Sequence, residues 1–243
     1  MSYVRPASVP LGQVWSRFKG RERDGKSAKM YQIRDMDPGI RNQCLDFMQE
    51  VFLRDEPLSK ALDVKSDPAS IKTIRQNWEM FLDQNVSLAC FTEDEDGNPD
   101  QLVAFNIIII RTIDEPDSEF KHEDGESWNK LMRTLVEAES LVNVFKHYQV
   151  DTYLSSSGLT VLPEFRGQNI GARMFAAREP LCRALGVTAS CTVYTATTSQ
   201  VLAAKCGYEV LGTMDYTHMM KYGIDLSGSE CPNAKVMGIK FDF

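Results

Sequence analysis

Residues Gly158 to Met174 read Gly-Leu-Thr-Val-Leu-Pro-Glu-Phe-Arg-Gly-Gln-Asn-Ile-Gly-Ala-Arg-Met, types and spacings suited to holding a pyrophosphate. Leu159 and Val161 alternate as in a strand, and Pro163 ends it because proline donates no backbone N–H. Gly167 and Gly171 stand where the chain must turn into a helix starting near Gln168. Glycines let a backbone approach a ligand closely, and the N–H groups of a helix's first turn have no acceptor in the helix. Those groups, the helix dipole and Arg166 together suit a pyrophosphate. Glycines at 167 and 171 alone do not make the G-x-G-x-x-G of a dinucleotide fold, and no G-K-S/T is present, which excludes an ATP-binding P-loop. On spacing alone, an ordinary glycine turn between strand and helix is the other reading.

With its flanks included, the stretch resembles motif A of the GNAT superfamily of N-acetyltransferases, whose loop holds the pyrophosphate of acetyl-CoA. Gln168-Asn-Ile-Gly171 matches the usual Q/R-x-x-G-x-G/A, but Arg173 stands at the final small position. Arg166 to Arg173 fits throughout the R-G-x-x-I-A/G-G/A-R form of the insect arylalkylamine N-acetyltransferases. The resemblance implies an acetyl-CoA site made by Arg166, Gly167, Gln168, Asn169, Ile170, Gly171, Ala172 and Arg173. It also implies that the pantetheine arm lies along Leu159, Thr160 and Val161, its amides pairing with strand groups freed at Leu159 and Val161. No metal is implied.

Making an amide from acetyl-CoA requires a neutral amine, because a protonated alkylamine cannot attack; a general base is therefore expected. Phe52-Leu-Arg-Asp-Glu-Pro-Leu58 resembles the D-E-P-L motif of the insect enzymes, and the matching base is Glu56, with Asp55 structural. A carboxylate at a helix end beside apolar residues can be tuned toward neutrality. The plainer reading of Glu56 is a solvated helix-end carboxylate before the stop signal Pro57. Thr195 to Tyr208 resembles the end of the GNAT domain, where a helix runs into a Gly-Tyr and a strand. Ser199 matches a family serine assigned to the thiolate proton, and Thr195 a position where relatives carry serine. Without the resemblance, Thr195 would cap the helix and Ser199 would bond back to its own backbone. Tyr194 is a reserve acid. Phe52, Leu58, Phe105 and Ile107 are candidates to line an apolar cleft or, equally, to be core. Ser155-Ser-Ser157 leaves space near the carbonyl or is simply loop.

The whole chain sets wider bounds. At 243 residues it is one domain with an appended arm: residues 1–28 a basic arm, 29–243 the acetyltransferase-like domain. Apolar residues are 43% and charged residues 25%, as in ordinary globular proteins. The net charge of −7 gives no reason to expect a nucleic-acid partner and suits a cationic amine. No apolar run, Ile107–Ile110 included, is long enough to span a membrane. Cys44, Cys90, Cys182, Cys191, Cys206 and Cys231 form no C-x-x-C, so reduced thiols in the cytoplasm are expected, without a zinc site or disulfides. The first 30 residues hold seven Lys/Arg against two Asp/Glu and no apolar core, so they are not a secretory signal. Within them Leu11, Val14, Trp15 and Phe18 fall at helical spacing, which would allow a short docked helix; a partly ordered arm is the plainer and preferred reading, and a mitochondrial transit peptide a third.

Along the body, Tyr31–Arg34 reads as a strand, and Asp37-Pro38 as a cap and first-turn proline opening a helix that stops at Arg54–Pro57. A second helix opens at Asp67-Pro68. Val86–Phe91 and Leu102–Arg111 read as a hairpin around the acidic turn at Gly97, followed by an acidic connection over 112–126. Leu131, Leu135, Ala138, Val142 and Phe145 share one face of a third helix. The motif strand (about 152–162), motif helix (168–185), strand 187–194, helix 196–206 and strands near 209–218 and 234–242 complete the chain. This order implies a mixed sheet covered by helices; it is also the order of the GNAT fold, so the resemblance implies an α/β fold with a mixed, mostly antiparallel sheet, helices on both faces, and a central parallel pair that splays to admit the cofactor. The expected activity is acetyl transfer to an arylalkylamine such as dopamine, serotonin, tyramine or octopamine, by direct attack with both substrates bound. The alternatives are a polyamine acceptor, a longer acyl-CoA, or a CoA-binding sensor without turnover.

Overall fold

The computed structural model describes residues 3–22, 28–114 and 124–243. Residues 23–27 of the basic arm and 115–123 of the acidic connection lie outside the described residues. An eight-stranded sheet runs through them in the order β1-β2-β3-β4-β5-β6-β8-β7. Its strands are β1 (Val14–Lys19), β2 (Met30–Asp35), β3 (Leu88–Glu93), β4 (Pro99–Thr112), β5 (Thr152–Val161), β6 (Ala189–Tyr194), β7 (Glu209–Asp215) and β8 (Asn233–Lys240). All neighbours pair antiparallel except β5 and β6. That parallel pair touches in register only at Leu154 and Ser190; beyond it the two strands part.

The helices are α1 (Arg41–Phe47), α2 (Leu53–Asp55), α3 (Pro57–Ala61), α4 (Pro68–Leu82), α5 (Glu126–Glu139), α6 (Val144–Tyr148), α7 (Ile170–Ala176), α8 (Arg178–Leu185) and α9 (Thr197–Lys205). Asp37 and Asp67 cap as their side chains predict, Asp37 accepting from Gly39 and Asp67 from Ala69 and Ser70. Alternation along β4 feeds two cores. Phe105 and Ile107 point to a cluster under α1–α5 with Trp78 and Leu58, while Ala104, Ile108 and Ile110 meet Met174 and Leu181 of α7 and α8. Both faces are covered, so the strand reads as a nearly unbroken apolar run rather than an alternating one.

Several expectations give way. Residues 14–18 form a strand, not a helix, because the edge of β2 offers a ladder and Phe18 stacks on Tyr31 with centroids 5.2 Å apart. Pairing and packing override the helical spacing there. The segment before β1 is stitched down by Arg5, which converges with the Trp15 indole of β1 on buried Asp35 at 2.9 and 2.8 Å. The third helix breaks after Glu139, and Asn143 caps a separate α6 by accepting from the Lys146 N–H at 2.9 Å. The motif helix starts at Ile170 rather than Gln168, since Asn169 is left-handed with φ 65°. Ser155–Ser157 belong to β5 and are not loop.

Candidate active site

The chain places a carboxylate, a hydroxyl and a glycine-rich loop around the open end of the β5/β6 splay. Glu56 ends α2 and caps α3 from extended backbone (φ −78°, ψ 120°), so its side chain turns back onto the next turn. Its carboxylate accepts from Leu58 N–H at 3.0 Å and Ser59 N–H at 2.6 Å. A third donor comes from far along the chain: the Thr195 hydroxyl, 2.7 Å away at the end of β6. Thr195 therefore does not cap α9; Ala196 holds that position without a side-chain bond. Ser199 donates to Ala196 O at 2.8 Å, back onto its own helix, and does not bond Glu56.

The loop at 166–173 is built as a cradle. Gly167 (φ 84°) and Asn169 (φ 65°) take left-handed backbone on either side of Gln168, which turns successive N–H groups outward. Ile170, Gly171 and Ala172 then present the first-turn N–H groups that no helix carbonyl can satisfy. Ala177 stays right-handed, so α7 runs on into α8. The Gln168 side chain accepts from Arg21 N–H at 2.7 Å, bringing the residues after β1 against the loop. Arg173, which departs from the usual small residue, lays its guanidinium over the Phe18 ring at 5.5 Å; the added strand β1 gives it a place.

Arg166 joins loop to carboxylate. It donates to Val161 O at 3.0 Å and pairs with Asp55 at 2.7 Å, the residue next to Glu56. Arg54 and then Arg166 hold the Asp55 carboxyl down at about 2. Along the strand leading to this loop, Leu159 and Val161 face α7 and α8, while Thr160 is buried on the opposite face with its hydroxyl on Met48 Sδ at 3.5 Å.

Of the proposed apolar lining, Leu58, Phe105 and Ile107 are fully buried core and offer no surface to a ligand. Phe52 stays half-buried, edge-on to Trp78. It lies in a π-helical turn, Met48–Phe52, that packs on Gly158. Gly158 takes φ 144°, a backbone conformation that favours glycine, and a Cβ there would also displace the tip of Met48, 2.6 Å away.

Sequence reasoning missed a second layer behind the splay. The β4–β5 register slips between Ile107 and Ile108, leaving Ser157 as an extra residue in a bulge. Asn106 holds this bulge, donating to Ser156 Oγ at 2.7 Å and Gly158 O at 2.8 Å. Its Oδ1 accepts from Nη2 and Nε of Arg178 at 2.9 and 3.2 Å. Arg178 is 1% exposed and stacks over Phe175 at 4.1 Å, with the Tyr194 and Tyr208 hydroxyls 3.4 and 3.5 Å from Nη1. Its partners include no carboxylate among the described residues. Tyr194 is thus engaged in this buried layer, and burial raises its phenol. A signal existed: Arg178 falls on the apolar stripe of its helix with Leu181, Cys182 and Leu185, and Asn106 interrupts an otherwise apolar strand.

A cavity of about 210 Å³ lies on the other face of the sheet, where β5 and β6 still converge. Val142, Phe145, Tyr153, Val193 and Val236 wall it, and Ser155 and Thr192, bonded at 2.8 Å, sit at its edge. Among the described residues no helix is long and apolar enough to cross a membrane.

No family model and no curated protein matches the chain. Solved structures do. An Aedes aegypti protein with the provisional name arylalkylamine N-acetyltransferase 7 aligns with a TM-score of 0.90 and 27% identity, over 99% of this chain and 100% of that one. Arylalkylamine N-acetyltransferase 2 of the same mosquito gives 0.71 and 20%, over 87% and 99%. The Drosophila melanogaster polyamine N-acetyltransferase that forms N-acetylagmatine gives 0.67 and 17%, over 87% and 100%. The last two, below a quarter identical, bear on the fold alone.

Proposed function

We propose that this chain, which has the fold of the GNAT N-acetyltransferases and the insect arylalkylamine enzymes among its structural neighbours, transfers an acetyl group from acetyl-CoA to a primary arylalkylamine. The observation that carries the reading is the Thr195–Glu56 bond, which holds a carboxylate at the mouth of the splayed strands. The loop fits the cofactor: left-handed turns at Gly167 and Asn169, free first-turn N–H groups, and Arg166 at its edge suit a pyrophosphate. Bound acetyl-CoA supplies the activated acyl group. Glu56 takes one proton from the ammonium, directly or through water, and passes it to solvent; the nitrogen lone pair then attacks the thioester carbon, and Glu56 takes the second N–H proton as the amide forms. The C–N bond forms as the C–S bond breaks with its electron pair on sulfur. Ser199 is the proposed proton donor to that thiolate, giving up its bond to Ala196 O and regaining its proton from water. Much of the rate gain comes from holding both reactants together.

An amine screen with acetyl-CoA tests this. Tyramine is expected to exceed propylamine and putrescine in kcat/KM, and Glu56→Ala to lower kcat by roughly 10²–10⁴-fold. A polyamine preference would remove the aryl assignment and keep the transferase. Cofactor binding without acetylation of any amine would favour a CoA sensor.

The cavity supports a second reading, a longer acyl group. The cavity is lined by Ser155 of β5 and Thr192 of β6, the two strands between which the cofactor's arm is expected, and by Glu139 and Asn143 beside its apolar walls. Apolar space of roughly 150 Å³ accepts a benzene ring, so 210 Å³ has room for a short chain. Comparing acetyl- with hexanoyl-CoA on tyramine decides between the two.

A further inference from the structure

The cavity of about 210 Å³ opens on the same face of the sheet as Glu56. Cys191 and Val193 of β6 line it, and strand alternation carries Thr195, the next residue in that row, to the same side. The Thr195 hydroxyl meets the Glu56 carboxylate at 2.7 Å. Two strand residues span about 7 Å, which sets the distance along β6 from the cavity wall at Val193 to Thr195. Val193 also packs against two cores: one holds Leu58, in the helix that Glu56 caps, and the other backs the cavity with Val144 and Val236.

The lining is more than plain hydrocarbon. Phe145 and Tyr153 stand edge to face in its wall, with centroids 5.0 Å apart. Two rings so placed offer a third ring both an edge and a face. Glu139 and Asn143, at the break between α5 and α6, bring polar groups to the rim. The Glu139 side chain is 46% exposed and lies 3.7 Å from the Arg111 guanidinium. A carboxylate carries about four acceptor sites, so an ion pair does not prevent it from accepting a hydroxyl as well.

We infer that this cavity seats the ring of the acceptor amine, and that Glu139 selects rings bearing a hydroxyl by accepting its hydrogen bond. The inference deepens the arylalkylamine reading and rests on it. With the ring against Phe145 and Tyr153, the ethyl linker runs past Val193 and brings the nitrogen to Glu56 and Thr195. Apolar space of roughly 150 Å³ admits benzene, and the remaining volume here leaves room for a ring hydroxyl at the rim. An alkyl acyl chain would fill the same space and use neither the aromatic edges nor Glu139.

Two variants test this. Glu139→Gln changes an exposed side chain and keeps its shape. Loss of a charge-assisted hydrogen bond predicts a KM for tyramine raised roughly tenfold with kcat changing less, and a change under about twofold for phenethylamine, which has no ring hydroxyl. Val142→Phe puts a ring into the cavity and should cut the kcat/KM of tyramine relative to propylamine by at least about tenfold, the value of burying one aromatic ring. Equal shifts for tyramine and phenethylamine in Glu139→Gln overturn the role of Glu139. An unchanged tyramine-to-propylamine ratio in Val142→Phe overturns the seat, and loss of hexanoyl-CoA transfer with that ratio kept gives the cavity to the acyl chain instead. If Val142→Phe fails to fold, the tyramine-to-phenethylamine ratio in Glu139→Gln decides alone. If wild type acetylates no amine, the functional reading falls separately, and thermal stabilisation by the two aryl amines decides: a loss in Glu139→Gln confined to tyramine supports the inference, and equal shifts overturn it.

Discussion

Replacing Asn106 by leucine should destabilise this protein more than replacing the arginine that Asn106 holds. The two residues are 0% and 1% exposed, so neither can turn to water. Leucine keeps the branched shape of asparagine and is somewhat larger, so no cavity is left and any repacking adds to the cost. It removes the short acceptor of Arg178, at 2.9 and 3.2 Å, and leaves the buried cation two phenols at 3.4 and 3.5 Å and the Phe175 ring. Leaving a buried charged group without its hydrogen-bond acceptor costs about 3 kcal/mol or more. A chain of this size loses about 2–4 °C of Tm per kcal/mol, so the shift is at least about 6–12 °C. Arg178→Met instead removes the charge and leaves one amide oxygen unsatisfied, about 1–3 kcal/mol. In the double variant neither charge nor orphaned oxygen remains, so it should be more stable than Asn106→Leu alone, with a coupling of about 2 kcal/mol. Urea or calorimetric unfolding of the four proteins measures this cycle. A cost under about 1 kcal/mol for Asn106→Leu, or strictly additive single effects, would refute the picture of a cation held by one amide.

Asp55, held at about 2 against an ordinary 3.8, stabilises the fold only while ionised. Its contribution is complete above about pH 4 and lost as pH falls toward 2. The Tm gap between wild type and Asp55→Asn should therefore close over that window, and a gap constant from pH 5 to 2 would exclude the ion pair as its source. Burial pushes the thiols of Cys44, Cys90, Cys182 and Cys191 up to about 12. Iodoacetamide at pH 8 should then modify half-buried Cys206 first, and all six cysteines only in denaturant; mass spectrometry showing equal labelling of the native protein would contradict this. Gly171→Glu should fold, since its Cβ meets only the tip of Leu202 at 3.0 Å, and should weaken CoA binding roughly a hundredfold through charge repulsion. Unchanged affinity by calorimetry would remove the pyrophosphate from this loop.

Local chemistry announced the elements wherever one residue decides the backbone. Asp37-Pro38 and Asp67-Pro68 opened helical segments as capping requires, and the glycine-spaced loop emerged between β5 and α7. Partners distant in sequence were harder to see. Val14 to Phe18 carry a helical period, yet the free edge of β2 takes them as a strand. The break between α5 and α6 turns on Asn143, whose capping role surfaces only once the chain bends there.

The site divides along the same line. Glu56 and Thr195 could be nominated as residue types, but the 2.7 Å bond between them spans 139 positions and depends on where β6 ends. Arg173 looked like a departure from a loop pattern; it is accommodated by Phe18 of a strand that the spacing had suggested was a helix. Asn106 and Arg178 mark a general gap in pattern reading. A polar residue inside an apolar stripe registers as a blemish until its partner is known, and here each is the other's partner. Tyr216, 4% exposed and with no hydrogen-bond partner for its hydroxyl among the described residues, is more elusive still, since what singles it out is a hydrogen bond it does not make. Such a vacancy has no signature in composition or period. It becomes visible only when every buried polar atom of the fold has been asked where its hydrogen bond goes.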